Sequence, residues 1–279
     1  MKKTTLRSYA RLIAQKGCHV QKGQDVFLTA SIEQPEFTTM VVDELYKAGA
    51  RKVFVDLSYQ PMEKYHVRHR SVKALSTVES FEEAKLQYMA EKKPIRLFLV
   101  SDDPDGLKGM NIEKMSKGQQ ARYPIVKPYR DAIEGKHQWC IAGVPGAAWA
   151  KKMFPKLPKG KAIEKLWEAI LSTSRVDDDP IAAWDAHNQD LHDRCAYLNS
   201  LGIETLEYTA SNGTHLTVGM IPEARFAGGY DTTNKGVHRR SGAVLRLRYG
   251  PSACLHAVFQ AHRLSGRRRR HFGLRVAGG

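Results

Sequence analysis

The sequence predicts an α/β protein. A Rossmann-like three-layer first domain comes first, then a helical section, then the start of a second, β-containing (α+β) domain. Two patterns carry this prediction. As far as Pro145, short apolar runs alternate with amphipathic helical stretches, the order of a parallel sheet covered on both faces. Further on, two strand-like runs flank Ser211-Asn212-Gly213, where Asn-Gly tolerates the positive φ of a tight hairpin.

Each element has its own local cause. Leu6, Tyr9, Ala10, Leu12 and Ile13 fall on one helical face, so residues 6–16 form an amphipathic helix that stops at Gly17. The run DVFLTA at 25–30 is a short strand. Phe37, Met40, Val41, Leu45 and Ala48 repeat at helical spacing over 36–48, and Gly49 ends that helix before the strand KVFVDL at 52–57. Strand, helix with a glycine stop and strand make a βαβ unit. The alternation continues with a helix at 80–92, a strand at 95–101, a helix at 121–134 and a strand at 138–144. Helices follow at 146–153, at 161–173 with Ile163, Leu166, Trp167 and Ile170 inward, and at 180–201, where Pro180 suits a first turn. Strands at 204–210 and 215–218 form the hairpin. The domains are therefore expected at 1–153 (α/β), 154–203 (helical connection), 204–237 (an incomplete second domain) and 238–279 (an Arg-rich tail).

Composition separates the tail from the body. Through Val237 there are 34 Lys and Arg against 29 Asp and Glu, with Lys outnumbering Arg 23 to 11. The last 42 residues hold 10 Arg and no Lys, Asp or Glu, so ten of the formal +15 charges lie there. The body's mixed charges read as a solvated surface rather than a nucleic-acid footprint. The tail keeps no sustained strand or helix period after 243–247, and its composition marks it as non-native or disordered. Four scattered cysteines without a C-x-x-C pair, no apolar run of membrane length and no secretory leader make a cytoplasmic setting the expectation, with no membrane partner.

Few motifs carry chemistry by themselves. Ala30-Ser31-Ile32 follows the first strand where a dinucleotide fold would place G-x-G-x-x-G, and no phosphate loop or G-x-S-x-G elbow is present. His66 and His69 could share a helix face as metal ligands, but Lys64, Arg68 and Arg70 beside them would repel a dication, so they read as surface. Glu82 and Glu83 read as a charged helix face, Asp177 to Asp179 as a helix N-terminus, and His187 and His192 as surface residues off a common face. Trp139, Trp149, Trp167 and Trp184 read as packing residues. Trp184 is also a candidate for lining a substrate cleft between the two domains, together with Asn212 of the hairpin turn.

The segments TASNGTHLTVG at 209–219 and FAGGYDTTNKG at 226–236 resemble the stretch before the metal site in the thermophilic-type metal-dependent aminopeptidases, the family of aminopeptidase T, aminopeptidase S and PepS. Blocks at 9–26, 46–56, 141–158 and 182–199 agree in order, so the resemblance covers residues 5–237. It implies a dimeric cytoplasmic exopeptidase that removes N-terminal residues from peptides. Two divalent metals (Zn, Co or Mn) would polarise the scissile carbonyl and activate a water.

The sequence leaves this pattern after Gly236. The family continues into an Asn-x-Pro-Thr-Glu-Glu motif whose glutamate begins the metal ligands; this chain has VHRRSGAVLRLRYG. No carboxylate ligand can therefore be carried onto the tail, and no residue is assigned as catalytic or metal-binding. The switch from Lys to Arg and the loss of acids predict a truncated or frame-displaced chain, inactive alone and holding no metal. The alternative is a non-catalytic α/β binding protein whose basic tail grips nucleic acid.

Overall fold

The computed structural model describes residues 1–230 and, in backbone only, 231–232 and the short strands at 238–240, 246–249, 253–255 and 273–275. The chain divides into two compact units: Met1–Trp184 with Thr232–Arg240, and Asp185–Asp231 with Ser241–Gly279. Apart from the four short strands, the expected non-native tail lies outside the described residues.

The first unit opens with helix α1 (Lys3–Leu12), which continues into a π-helical turn, Ile13–Gly17. Tyr9, Ala10, Leu12 and Ile13 are buried, the face expected from their spacing. Strand β1 (Asp25–Ser31), helix α2 (Pro35–Lys47) and strand β2 (Lys52–Ser58) build the first βαβ unit, and Gly49 takes φ +108°, which a side chain would resist. Short helices α3 (Pro61–His69) and α4 (Val72–Ser76) precede α5 (Ser80–Lys92). Helix α5 starts on a reciprocal box, with the Glu82 side chain accepting from the Glu79 N–H, and ends at Lys93 in the left-handed region. Strand β3 (Ile95–Val100), helix α6 (Ile112–Ile133) and strand β4 (Trp139–Gly143) complete the sheet, and α7 (Ala147–Met153) and α8 (Lys159–Thr173) follow.

The sheet is parallel in the order β2-β1-β3-β4. Its register pairs Val26 with Val53 and Ile95, and Leu97 with Cys140. Val26, Leu28, Ile95, Leu97 and Cys140 are buried against α1, α2 and α8, and Leu166, Trp167 and Ile170 of α8 join the same core. Burying one such side chain contributes about 1.5–3 kcal/mol. The opposite face carries Phe27, Phe54, Arg96 and Phe98, with Phe27 stacked on Phe54 at 4.7 Å between centroids.

Helix α9 (Pro180–Ser200) begins in the first unit and continues in the second. The second unit pairs β5 (Thr205–Thr209) antiparallel with β6 (His215–Gly219) through a turn in which Gly213 takes φ +85°. Strands β7 (Arg225–Ala227) and β8 (Tyr230–Thr232) follow, with the backbone of β9 (His238–Arg240), β10 (Arg246–Tyr249), β11 (Ala253–Leu255) and β12 (Gly273–Arg275). Strand β12 lies on the other side of β5, and β10 lies between β11 and β7. The core here is small: Cys195, Leu206 and Phe226 are buried.

Candidate functional site

Open parallel sheets bind ligands where the strand order reverses, which here is the crevice beyond the carboxyl ends of β1 and β3. A cavity of about 140 Å³ lies there, lined by Ser31, Glu33, Gln60, Lys64, Ser101 and Asp103 among others. The Gln60 amide is part of its wall. Its Nε2 donates to the Asp103 carbonyl at 3.2 Å, and its Oε1 accepts from the Asp103 N–H at 2.8 Å. A dinucleotide needs several times this volume, as pockets for drug-sized ligands run to about 300–1,000 Å³. The missing glycine fingerprint and the small crevice agree.

The residues nominated from sequence are dispersed. His66 and His69 lie on α3. The Glu82 carboxylate pairs with Arg122 at 2.8 Å, which holds it below the usual carboxylate range against the opposing effect of burial. Glu83 accepts from the Tyr129 hydroxyl at 2.8 Å. Asp179 caps α9, its Oδ1 accepting from the Ile181 and Ala182 N–H groups at 3.1 Å each.

In the first unit Trp184 is 6% exposed, and its Nε1 donates to the Ser174 carbonyl at 2.7 Å. It lines a cavity of about 100 Å³ with Tyr9, Leu12 and Ile141. In the second unit Asn212 is exposed, and its Oδ1 accepts from the Thr214 N–H and hydroxyl at 3.2 and 2.8 Å, an Asx turn that supports the hairpin.

His192 differs from its surface reading. It is half-buried, with its ring edge-on to Tyr230 at 4.7 Å, and a Cβ on Gly229 would come within 3.1 Å of its Nε2. Gly229 takes φ +79°, so the Ala-Gly-Gly-Tyr loop can fold against the imidazole. Asn199 was missed from sequence. Its amide donates to the Phe226 carbonyl at 2.9 Å and accepts from the Phe226 N–H at 2.8 Å, pairing a helix side chain with strand backbone. An asparagine one position before the end of the AAWDAHNQDLHDRCAYLNS run, on a face with Cys195, was the available signal.

Residues 2–240 match the family of thermophilic metalloproteases (M29). The chain belongs to this family. Aminopeptidase PepS of Streptococcus thermophilus is 34% identical over 221 residues, covering 78% of this chain and 53% of PepS. Aminopeptidase T of Thermus thermophilus is 32% identical over 236 residues, covering 84% of this chain and 58% of the relative. The solved structure of wild-type AmpT from Thermus thermophilus matches with a TM-score of 0.75 at 31% identity, over 85% of this chain and 58% of that one. The M29 membership and the α/β fold class read from sequence are thus both shown. The chain spans a little over half the length of these relatives.

A metalloprotease family implies a divalent metal, and the donors can be tested against that need. Two dications require several anionic or imidazole ligands converging within about 2–2.6 Å of each ion. Among the described residues no three His, Cys, Asp or Glu side chains are grouped to hold one. Nearby carboxylates such as Asp179 and Glu82 already serve as a cap and an ion pair. After Gly236 the sequence has no Asp or Glu. The donors among the described residues do not fit an M29 metal pair. Among the described residues no helix is long and apolar enough to cross a membrane.

Proposed function

We propose that this chain carries the scaffold of a metal-dependent aminopeptidase that removes N-terminal residues from peptides, and that the 279-residue chain does not catalyse the reaction by itself. Membership of the M29 family and similarity to proteins named aminopeptidase support the activity class. One observation carries the second half: the 42 residues after Val237 contain no carboxylate side chain at all. Dications in a protein are held chiefly by charged oxygens and imidazoles, and arginine supplies neither a lone pair nor negative charge.

In this reading two divalent ions (Zn, Co or Mn) act in a protein whose metal-ligand region is intact, as a cytoplasmic homodimer working on peptides. Residues near 238–270 are the product of a displaced reading frame. Trp184 and Asn212 are its substrate-cleft residues.

The encoding DNA, translated in all three frames, is expected to show a Pro-Thr-Glu-Glu-like run in a displaced frame. Absence of that run from every frame overturns the frame argument. With leucine p-nitroanilide and added Zn, Co or Mn, the purified 279-residue protein is expected to show no chelator-sensitive release of nitroaniline; sustained release overturns the inactivity. In a frame-restored protein, Asn212→Ala and Trp184→Phe are expected to raise KM, and an unchanged KM removes both from the cleft.

A further inference from the structure

A cavity of about 690 Å³ lies on the sheet face opposite the main core, beneath α5 and α6. Phe27 and Thr29 of β1 and Arg96 of β3 line its floor, and Leu86, Met89 and Val126 line its helical wall. It is a groove between the sheet and the two helices, half open to solvent. It falls within the ordinary range of small-molecule sites.

The charges lining it do not balance. Asp56 and Glu82 face Lys85, Arg96, Arg122 and Arg130. Lys85 pairs with Asp56 and Arg122 with Glu82, so both acids are used at the rim. Arg96 and Arg130 have no carboxylate partner among the described residues. Arg96 is half-buried with its guanidinium stacked 4.9 Å over Phe98, and burial together with the nearby Arg130 disfavours its charge. A half-buried guanidinium beside a largely apolar space, with the exposed Arg130 near it, costs stability that a bound anion would relieve. Arginine also stays charged, so loss of a proton cannot relieve the cost.

We propose that this cavity binds a small organic anion: an apolar body against Phe27, Leu86 and Met89, and a carboxylate or phosphate head held by Arg96 and Arg130. The planar guanidinium fork suits either head, because both present paired oxygens. This site is separate from the peptidase reading and stands or falls without it.

The test is calorimetric titration of the full 279-residue protein with octanoate, octyl phosphate, 1-octanol and inorganic phosphate. Octanoate or octyl phosphate is expected to bind saturably with one molecule per chain, about tenfold or more tighter than octanol or inorganic phosphate. Whichever of the two binds tighter identifies the head group as carboxylate or phosphate. Arg96→Met is expected to weaken binding about tenfold while preserving or raising Tm, and Arg96→Lys to restore part of it. Should Arg96→Met fail to fold, Arg130→Gln at the exposed mouth must weaken binding by itself, about threefold or more. Equal binding of octanol and octanoate, affinity unchanged by both substitutions, or no saturable binding would overturn the proposal.

Discussion

The first unit holds its sheet between layers. Leu28, Ile95 and Leu97 are fully buried, and Trp167, Ile170 and Trp184 pack into the same core from helices. In the second unit the β5–β6 hairpin has less cover among the described residues. Every residue of β6 is exposed, with Leu216 at 53% and Val218 at 38%, and the small core rests on Cys195, Leu206 and Phe226. The same chemistry, apolar residues alternating along strands, thus gives a self-supporting domain in one place and an open sheet in the other. What separates them is the presence of helices whose apolar stripes cover the strands.

This contrast is sharpest in core truncations. Leu28→Ala, at a fully buried position on the central strand, is expected to lower unfolding free energy by about 3–5 kcal/mol in urea titrations. A loss below about 1 kcal/mol would break the contrast by showing that the first unit is loosely packed.

A smaller effect is expected at the buried acid of β1. Burial opposes ionisation of Asp25, but hydrogen bonds from Arg51 and Tyr88, both to Oδ2, more than offset it and hold the carboxyl below its usual range. Oδ1 is buried without a hydrogen-bond partner. Tyr88→Phe is expected to cost about 1–2 kcal/mol. Because the folded pKa is the lower one, the Asp25 contribution is fully present above its unfolded pKa of about 4 and is lost as pH falls through the folded value. Stability measured between about pH 5 and pH 2 is therefore expected to fall less steeply in Asp25→Asn, and an unchanged slope would remove Asp25 from the account.

In the second unit Asn199→Ala removes both hydrogen bonds to Phe226, and a cost of about 1 kcal/mol is expected. Faster amide exchange should be confined to β7 and α9, and exchange that also accelerates in β1 and β3 would show the two units unfolding as one. The smallest effect is expected at Leu216→Ser, within about 0.5 kcal/mol, because that side chain is already in water. A loss above about 2 kcal/mol would mean that β6 is covered in solution.

Much of the first unit was legible because its signals are local. The helix at 80–92 is delimited by a capping box and by Lys93 in the left-handed region, and the strands stand out as apolar runs closed by glycine or proline. Helix α6 was read only from Ala121, although it begins at Ile112. Gly118 lies inside it, where a Cβ would come within 2.8 Å of the Leu75 Cβ, so it allows α4 and α6 to approach. Such a reason is tertiary and invisible in a window of sequence. Arg96 is the lone charge in IRLFLV, and its alternation with Ile95 and Leu97 places it on the second sheet face. That the cavity leaves this charge without an acid depends on where α5 and α6 lie, which periodicity does not encode. His192 was misjudged for the same reason, since its partner Tyr230 is 38 residues away.

The proposed inactivity rests on electrostatics: among the described residues no donor group is assembled for a dication, and no acid follows Gly236. Equilibrium dialysis of the purified 279-residue protein against Zn, Co or Mn, followed by gel filtration and elemental analysis, tests it directly. Fewer than about one chelator-removable ion per chain is the expected result, since no such ligand group is present among the described residues. Two retained ions per chain, both released by chelator, would contradict it.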